Sequence, residues 1–180
     1  MKKAVLVIDV QQALFDAVKP PYEAQAVISN INQVTAWARV NNIPIIYIQH
    51  ERPDTPLAYQ SVGWNLANGL EHQSTDFYIR KSSPDSFLRT DLKVLLEQYG
   101  IEHLIICGYA TEFCIDTTVR KAASLGYSIE LVADAHTTHD KSHASAQLIR
   151  EHHNAILPQM LSFDVSIKAL PASELVASSL

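Results

Sequence analysis

Three residues of this chain are of types that together perform acyl transfer. Asp9 closes the apolar run AVLVI, Lys81 closes FYIRK, and Cys114 follows LIICG at the opening of a helical segment. A thiol supplies a nucleophile, a cation stabilises its thiolate and a carboxylate takes a proton. Each residue alone has a plainer reading: Asp9 as a helix cap, Lys81 as a solvated strand end with Arg80 as the inward-facing alternative, Cys114 as a structural thiol. In GYATEFC, Thr111 is the candidate N-cap, which sets Cys114 in the first helical turn. Free N–H groups and the helix dipole favour a thiolate there, lowering a cysteine pKa from about 8.5 to between about 3.5 and 7.5 when cations also approach. The same turn offers the N–H groups of Ala110 and Cys114 to an oxyanion. Cys107, inside LIICG, reads as core filling.

Positioning these groups requires elements that end at a common edge. Apolar, β-branched runs of strand length recur over 4–10, 43–49, 77–81, 103–108 and 128–133. They lack polar alternation, as strands covered on both faces do. Helical spacing fills 22–40, 86–99, 112–125 and 141–153, with Gly100 and Gly126 as helix stops. Regular alternation predicts a three-layer α/β/α fold with a doubly wound, mostly parallel sheet of about six strands, in which sites lie beyond the carboxyl ends of the strands. The tail after Leu161 is expected to add an edge strand and a short helix. Residues 51–75, with Pro53, Pro56, Gly63, Gly69, Tyr59 and Trp64, read as a long loop that covers substrate or meets another subunit.

Composition bounds the rest. At 180 residues the chain reads as one domain, 1–180. Apolar residues make up 47% and charged residues 18%, which suits a packed core and not a disordered chain. With 14 Lys+Arg against 19 Asp+Glu the net charge is −5, and no basic stretch stands out, so nucleic acid is not the expected partner. No apolar run approaches the roughly 20 residues of a membrane span. Two cysteines make no disulfide framework, and a cytoplasmic location is expected. No glycine-rich phosphate loop follows the first strand, where DVQQ stands instead, so no nucleotide cofactor is expected.

The blocks LVIDVQQALF, RKSSPDSF and IICGYATEFCIDTTVRKAASLGYSIELVADA, in that order from residue 4 to about 155, closely resemble the isochorismatase-like cysteine hydrolases, the family of nicotinamidases and N-carbamoylsarcosine amidase. The resemblance implies an Asp9–Lys81–Cys114 triad, with Asp9 as general base, Lys81 lowering the thiol pKa and Cys114 as nucleophile, and it favours Lys81 over Arg80. It also implies a cis Tyr109–Ala110 bond that aims the Ala110 amide into an oxyanion hole, and no cofactor. Gln11 and Phe15 match the family's first motif and become candidate substrate contacts. The implied reaction is cleavage of a small-molecule amide-type C–N bond through a thioester by a homo-oligomer, dimer or tetramer. The alternatives are a non-catalytic binding protein of the same fold, or vinyl-ether hydrolysis, against which the cysteine argues. Nicotinamidases of this family bind a metal after the second strand, but YIQHERPDTPLAYQ provides His50 and Asp54 without a third ligand, so no metal is expected.

Other clusters carry less. Trp64, Tyr59 and Tyr109 are candidates for an aromatic pocket wall, Tyr109 above the others because it adjoins Ala110. His139 and His143 are spaced i, i+4, but no HExxH motif accompanies them, and a helix-start loop with exposed imidazoles accounts for them. A redox role for the Cys107 and Cys114 pair is disfavoured by strand geometry.

Overall fold

A computed structural model describes residues 1–177; residues 178–180, the end of the expected 1–180 domain, lie outside the described residues. Six strands, β1 (Lys3–Ile8), β2 (Ile45–His50), β3 (Phe77–Lys81), β4 (His103–Tyr109), β5 (Ser128–Thr137) and β6 (Ile167–Leu170), form one sheet in the order β3-β2-β1-β4-β5-β6. Every neighbouring pair is parallel. The order reverses at β1, so the exits of β1 and β4 flank the crevice where such sheets place their sites.

The two faces of β1 belong to different cores. Ala4, Leu6 and Ile8 pack with Leu92, Leu96, Val119 and Ala122. These come from α3 (Leu92–Gln98) and α4 (Asp116–Ser124). Val5 and Val7 pack instead with Val27, Ile31, Val34 and Leu175 of α2 (Ala24–Val40) and α6 (Ala172–Ala177). Burial on both sides explains the unbroken apolar runs, each large side chain contributing about 1.5–3 kcal/mol of transfer free energy. The short α1 (Gln12–Phe15) follows β1, and α5 (Ala146–Ile156) follows β5.

Several boundaries differ from the pattern-based reading for local reasons. β1 stops at Ile8 and not at residue 10, because Asp9 adopts a left-handed conformation with φ 55°. The helix expected over 86–99 begins only at Leu92. Its first residues fold as turns in which side chains satisfy the backbone: Asp85 accepts from Phe87 N–H, Thr90 donates to Ser86 O, and Thr90 accepts from Leu92 N–H. Likewise the helix expected from 141 starts at Ala146, capped by Ser145, which accepts from Leu148 N–H, while Asp140 accepts from Ala146 N–H. β5 runs four residues further than its apolar core, to Thr137. The 51–75 segment is irregular apart from a 3₁₀ turn at Val62–Trp64 and an antiparallel bridge between Leu66 and Gln11, and it folds back on the exit of β1, where Gln12 N–H reaches Asn65 O and Ala67 N–H reaches Val10 O.

One glycine is fixed by close approach. Gly108 has φ +121°, and a Cβ there would lie 2.0 Å from Ile8 O. The exits of β1 and β4 therefore meet with no side chain between them. Gly126 also has positive φ, +90°, but nothing lies within 4 Å of its missing Cβ. Gly126→Ala is thus expected to cost only backbone strain, about 1–2 kcal/mol, whereas Gly108→Ala adds a backbone clash and is expected to cost at least about 3 kcal/mol. Urea unfolding of both variants checks the contrast; equal losses would remove the close-approach explanation.

Candidate active site

Three elements deliver the reactive groups to one edge. The left-handed turn at Asp9 is held by its N–H donating to Ile48 O at 2.8 Å. Lys81 ends β3 in register with His50, the last residue of β2. Strand alternation then turns Arg80 outward, where it pairs with Glu51 at 2.7 Å and lies 3.5 Å from the centroid of the Tyr59 ring. Cys114 sits in a π-helical turn, Thr111–Ile115, between β4 and α4, in which Ile115 N–H reaches back five residues to Ala110 O. Such wide turns recur at functional sites. The Tyr109–Ala110 bond before it is cis.

The Lys81 ammonium is the centre of the site. It lies 2.7 Å from Asp9 Oδ2, 3.1 Å from Ser83 O, 3.2 Å from Cys114 Sγ and 3.3 Å from His50 Nδ1. Lys81 is 2% exposed and Asp9 1%. Burial works against the charge on Lys81, but the Asp9 carboxylate and Cys114 outweigh it and hold its pKa above the ordinary value. His50 is shifted the other way, by burial first and by Lys81 second, so it is a neutral imidazole whose Nδ1 accepts from the ammonium.

The thiol departs from expectation. Burial, and next the Asp9 charge, push Cys114 up to about 12, with Lys81 pulling in the opposite direction. Lys81 thus lowers the thiol pKa as expected, but the net shift is upward and not downward, because the same pocket excludes water and holds a carboxylate. At neutral pH the group is therefore a thiol beside a carboxylate. Cys107 is pushed up by burial alone and hydrogen-bonds Leu6 O, as a core residue does.

Asp9, His50 and Cys114 offer ligand atoms within 4.8 Å of one another, a spacing that suits a metal ion. The Lys81 ammonium already lies against all three. A divalent ion there would face that positive charge at contact distance, so the donor set does not fit a metal while Lys81 is protonated. Asp54 is exposed on the loop and takes no part in the cluster.

The remaining candidates divide. Phe15 is buried, with its ring 6.0 Å edge-on from that of Tyr109, whose hydroxyl meets His139 Nδ1 at 2.9 Å. Ala110 is buried at the root of the π-turn. Gln11, expected to contact substrate, has its amide engaged elsewhere: Oε1 accepts from His50 N–H, while Nε2 donates to His50 O and Trp64 O. It pins the end of β2 and the 51–75 loop to the exit of β1. Trp64 lines a cavity of about 560 Å³ with Gln49, His72 and Tyr78, which none of Asp9, Lys81 and Cys114 borders. Tyr59 packs edge-on against Trp64 and is 46% exposed. Thr111 is not a cap; the N-cap position is Ala110, and the Thr111 hydroxyl meets His136 Nδ1. His143 is exposed ahead of α5, so it shares no helical face with His139. Pattern reading did not place His50 and Ser83 O at the ammonium; the available signal for His50 was its place as the last residue of a strand ending at the same edge.

Residues 3–157 match the family model described as the Isochorismatase domain. The chain is 32% identical over 139 residues to streptothricin hydrolase of Streptomyces noursei, covering 77% of this chain and 50% of that protein. It is also 32% identical over 111 residues to ureidoacrylate amidohydrolase RutB of Serratia proteamaculans, covering 62% of this chain and 44% of that one. The chain thus spans about half the length of these curated relatives. A crystal structure of an isochorismatase family protein superposes with a TM-score of 0.86 at 36% identity, covering 93% of this chain and 97% of the other.

The electrostatics generate a test of sign. The midpoint of iodoacetamide labelling of Cys114 against pH, read by peptide mass spectrometry, is expected above the free-cysteine value of about 8.5. Asp9→Asn is expected to lower it and Lys81→Met to raise it further. A wild-type midpoint below the free value would refute the upward shift of the thiol.

Proposed function

The chain belongs to the isochorismatase family of hydrolases, and from that premise we propose that it is a cysteine hydrolase cleaving a small-molecule amide-type C–N bond through a thioester, with Asp9, Lys81 and Cys114 as its triad. The observation that carries the reading is the buried contact of Lys81 with both Asp9 and Cys114, at 2.7 and 3.2 Å. The ureidoacrylate amidohydrolase and the streptothricin hydrolase among the relatives are consistent with this chemistry.

In the proposed reaction Asp9 accepts the Cys114 proton as Sγ forms a bond to the substrate carbonyl carbon. A raised thiol pKa makes this transfer necessary, since too little thiolate preexists at neutral pH. The oxyanion is received by the N–H groups of Ala110 and Cys114. As the C–N bond breaks, the leaving nitrogen takes the proton from Asp9, and a thioester remains on Cys114. A water molecule then gives its proton to Asp9 and attacks the thioester; the C–S bond breaks and the proton returns to sulfur, releasing a carboxylic acid. Lys81 keeps its charge throughout, offsetting negative charge first on Asp9 and then on the sulfur. Phe15 and Tyr109 form the apolar wall for the acyl group. We propose further that the described residues act as one domain in a homo-oligomer, consistent with the exposed side chains of Phe113, Leu148 and Leu161.

A panel of small amides and ureido compounds provides the assay. Cys114→Ala is expected to abolish turnover, and Asp9→Asn to reduce kcat by about 10²–10⁴, the usual contribution of a general base, while leaving the thiol more acidic. Acid quench during turnover should trap an acyl adduct on Cys114 by mass spectrometry. Full turnover by Cys114→Ala would defeat the mechanism, and no turnover of any compound together with unreactive Cys114 would favour a binding role.

A further inference from the structure

We propose that His136 is a positioning residue for Cys114, acting through Thr111 at the start of the π-turn; this rests on Cys114 being the nucleophile. His136 lies near the end of β5 and is 0% exposed. Both ring nitrogens are engaged: Nδ1 meets Thr111 Oγ1 at 2.9 Å and Nε2 meets Asn154 Oδ1 at 2.9 Å. Asn154, on α5, is oriented by its own Nδ2, which donates to Ala133 O at 2.9 Å.

This chain of contacts has one consistent direction. Because Asn154 presents its oxygen to the ring, His136 Nε2 must carry the proton, so Nδ1 is a bare lone pair. The Thr111 hydroxyl then donates to it. Burial drives the His136 pKa down to about 4, so the same neutral tautomer persists across neutral pH. A core position needing only volume is filled more favourably by an apolar side chain. A fully bonded imidazole instead fixes the rotation of Thr111, the residue that follows Ala110 and precedes Cys114 by three.

The sheet is built to bring this group into place. β4 and β5 pair Ile106 with Leu131, but two residues later Gly108 pairs with His136, so β5 contains three extra residues across that step. The irregularity delivers His136 beside the strand exit from which the π-turn springs. Neither Thr111 nor His136 touches the Lys81 ammonium, whose contacts are Asp9, Ser83, Cys114 and His50. Their influence is on where the thiol and the Ala110 and Cys114 N–H groups stand, and small displacements of reacting groups cost up to about 10²-fold in rate.

Thr111→Val removes the donor while keeping the shape, and Thr111→Ser restores it. The readouts are the rate of Cys114 alkylation by iodoacetamide at one fixed pH, kcat and KM on any amide turned over, and thermal stability. Thr111→Val is expected to slow alkylation and lower kcat by about ten-fold or more, with KM little changed, and Thr111→Ser to recover most of both. Asn154→Leu should produce the same pattern through His136. Ile31→Val, a core change in α2 remote from the turn, serves as the stability control and is expected to lower the melting temperature without slowing alkylation. Wild-type alkylation by Thr111→Val, or a Thr111→Ser variant as slow as Thr111→Val, would overturn the proposal. Alkylation needs no substrate, so it decides this point separately from the hydrolase reading, which falls instead if Cys114→Ala turns substrate over.

Discussion

The site depends on keeping an ammonium and a carboxylate together out of water. Taking Lys81 and Asp9 into the interior costs several kcal/mol per ion, and their attraction repays this only when the remaining protons and lone pairs find partners. Ser83 O, Cys114 Sγ and His50 Nδ1 provide them on the lysine side. On the aspartate side Oδ1 is buried with no hydrogen-bond partner among the described residues. Such an atom is costly in a purely structural ion pair. Under the proposed mechanism it is of use, because Asp9 there accepts a proton during each turnover.

The same enclosure determines how the cysteine is prepared. A nucleophile with a permanently lowered pKa needs positive charge without compensating negative charge nearby. Here one carboxylate and one ammonium share the pocket, so their fields at the sulfur largely oppose each other, and desolvation decides the balance in favour of the neutral thiol. In the proposed reaction the proton moves from sulfur to aspartate while the negative charge passes the other way, with Lys81 adjacent to both ends of the transfer.

Much of this was legible in the sequence. Strands buried on both faces leave apolar runs; Asp9 and Lys81 close two of them and Cys114 follows a third, so the three could be grouped at one sheet edge from the sequence. The choice of Lys81 over Arg80 follows from strand alternation once the register with His50 is known. What escaped pattern reading is what depends on side chains bonding to their own backbone, as at Asp85 and Thr90, or on a conformation few residues adopt, as at Asp9. The sign of the thiol shift escaped for another reason: a spacing shows which charges are near, but not how much water is excluded. Gln11 matches the family's first motif, which makes it a candidate substrate contact; its amide bonds the backbone of residue 50 instead.

The π-turn and the irregular β4–β5 pairing solve one geometric problem between them. α4 must present Val119, Ala122 and Ala123 to the core, which sets its rotation about its axis. In a regular helix each residue advances 100°, so that rotation would also dictate where Cys114 points. Lengthening the turn so that Ile115 N–H bonds Ala110 O, five residues back, inserts one residue's advance and frees the direction of the thiol from the packing of the helix behind it. Freedom of that kind has to be removed again, or the thiol would sample several positions. Lys81 restrains it from the β3 side, while the Thr111 hydroxyl, held by His136 and through it by Asn154, restrains the first residue of the turn from the β5 side. Gly108 allows both restraints to act at short range, because the β1 and β4 exits can touch only where no Cβ intervenes.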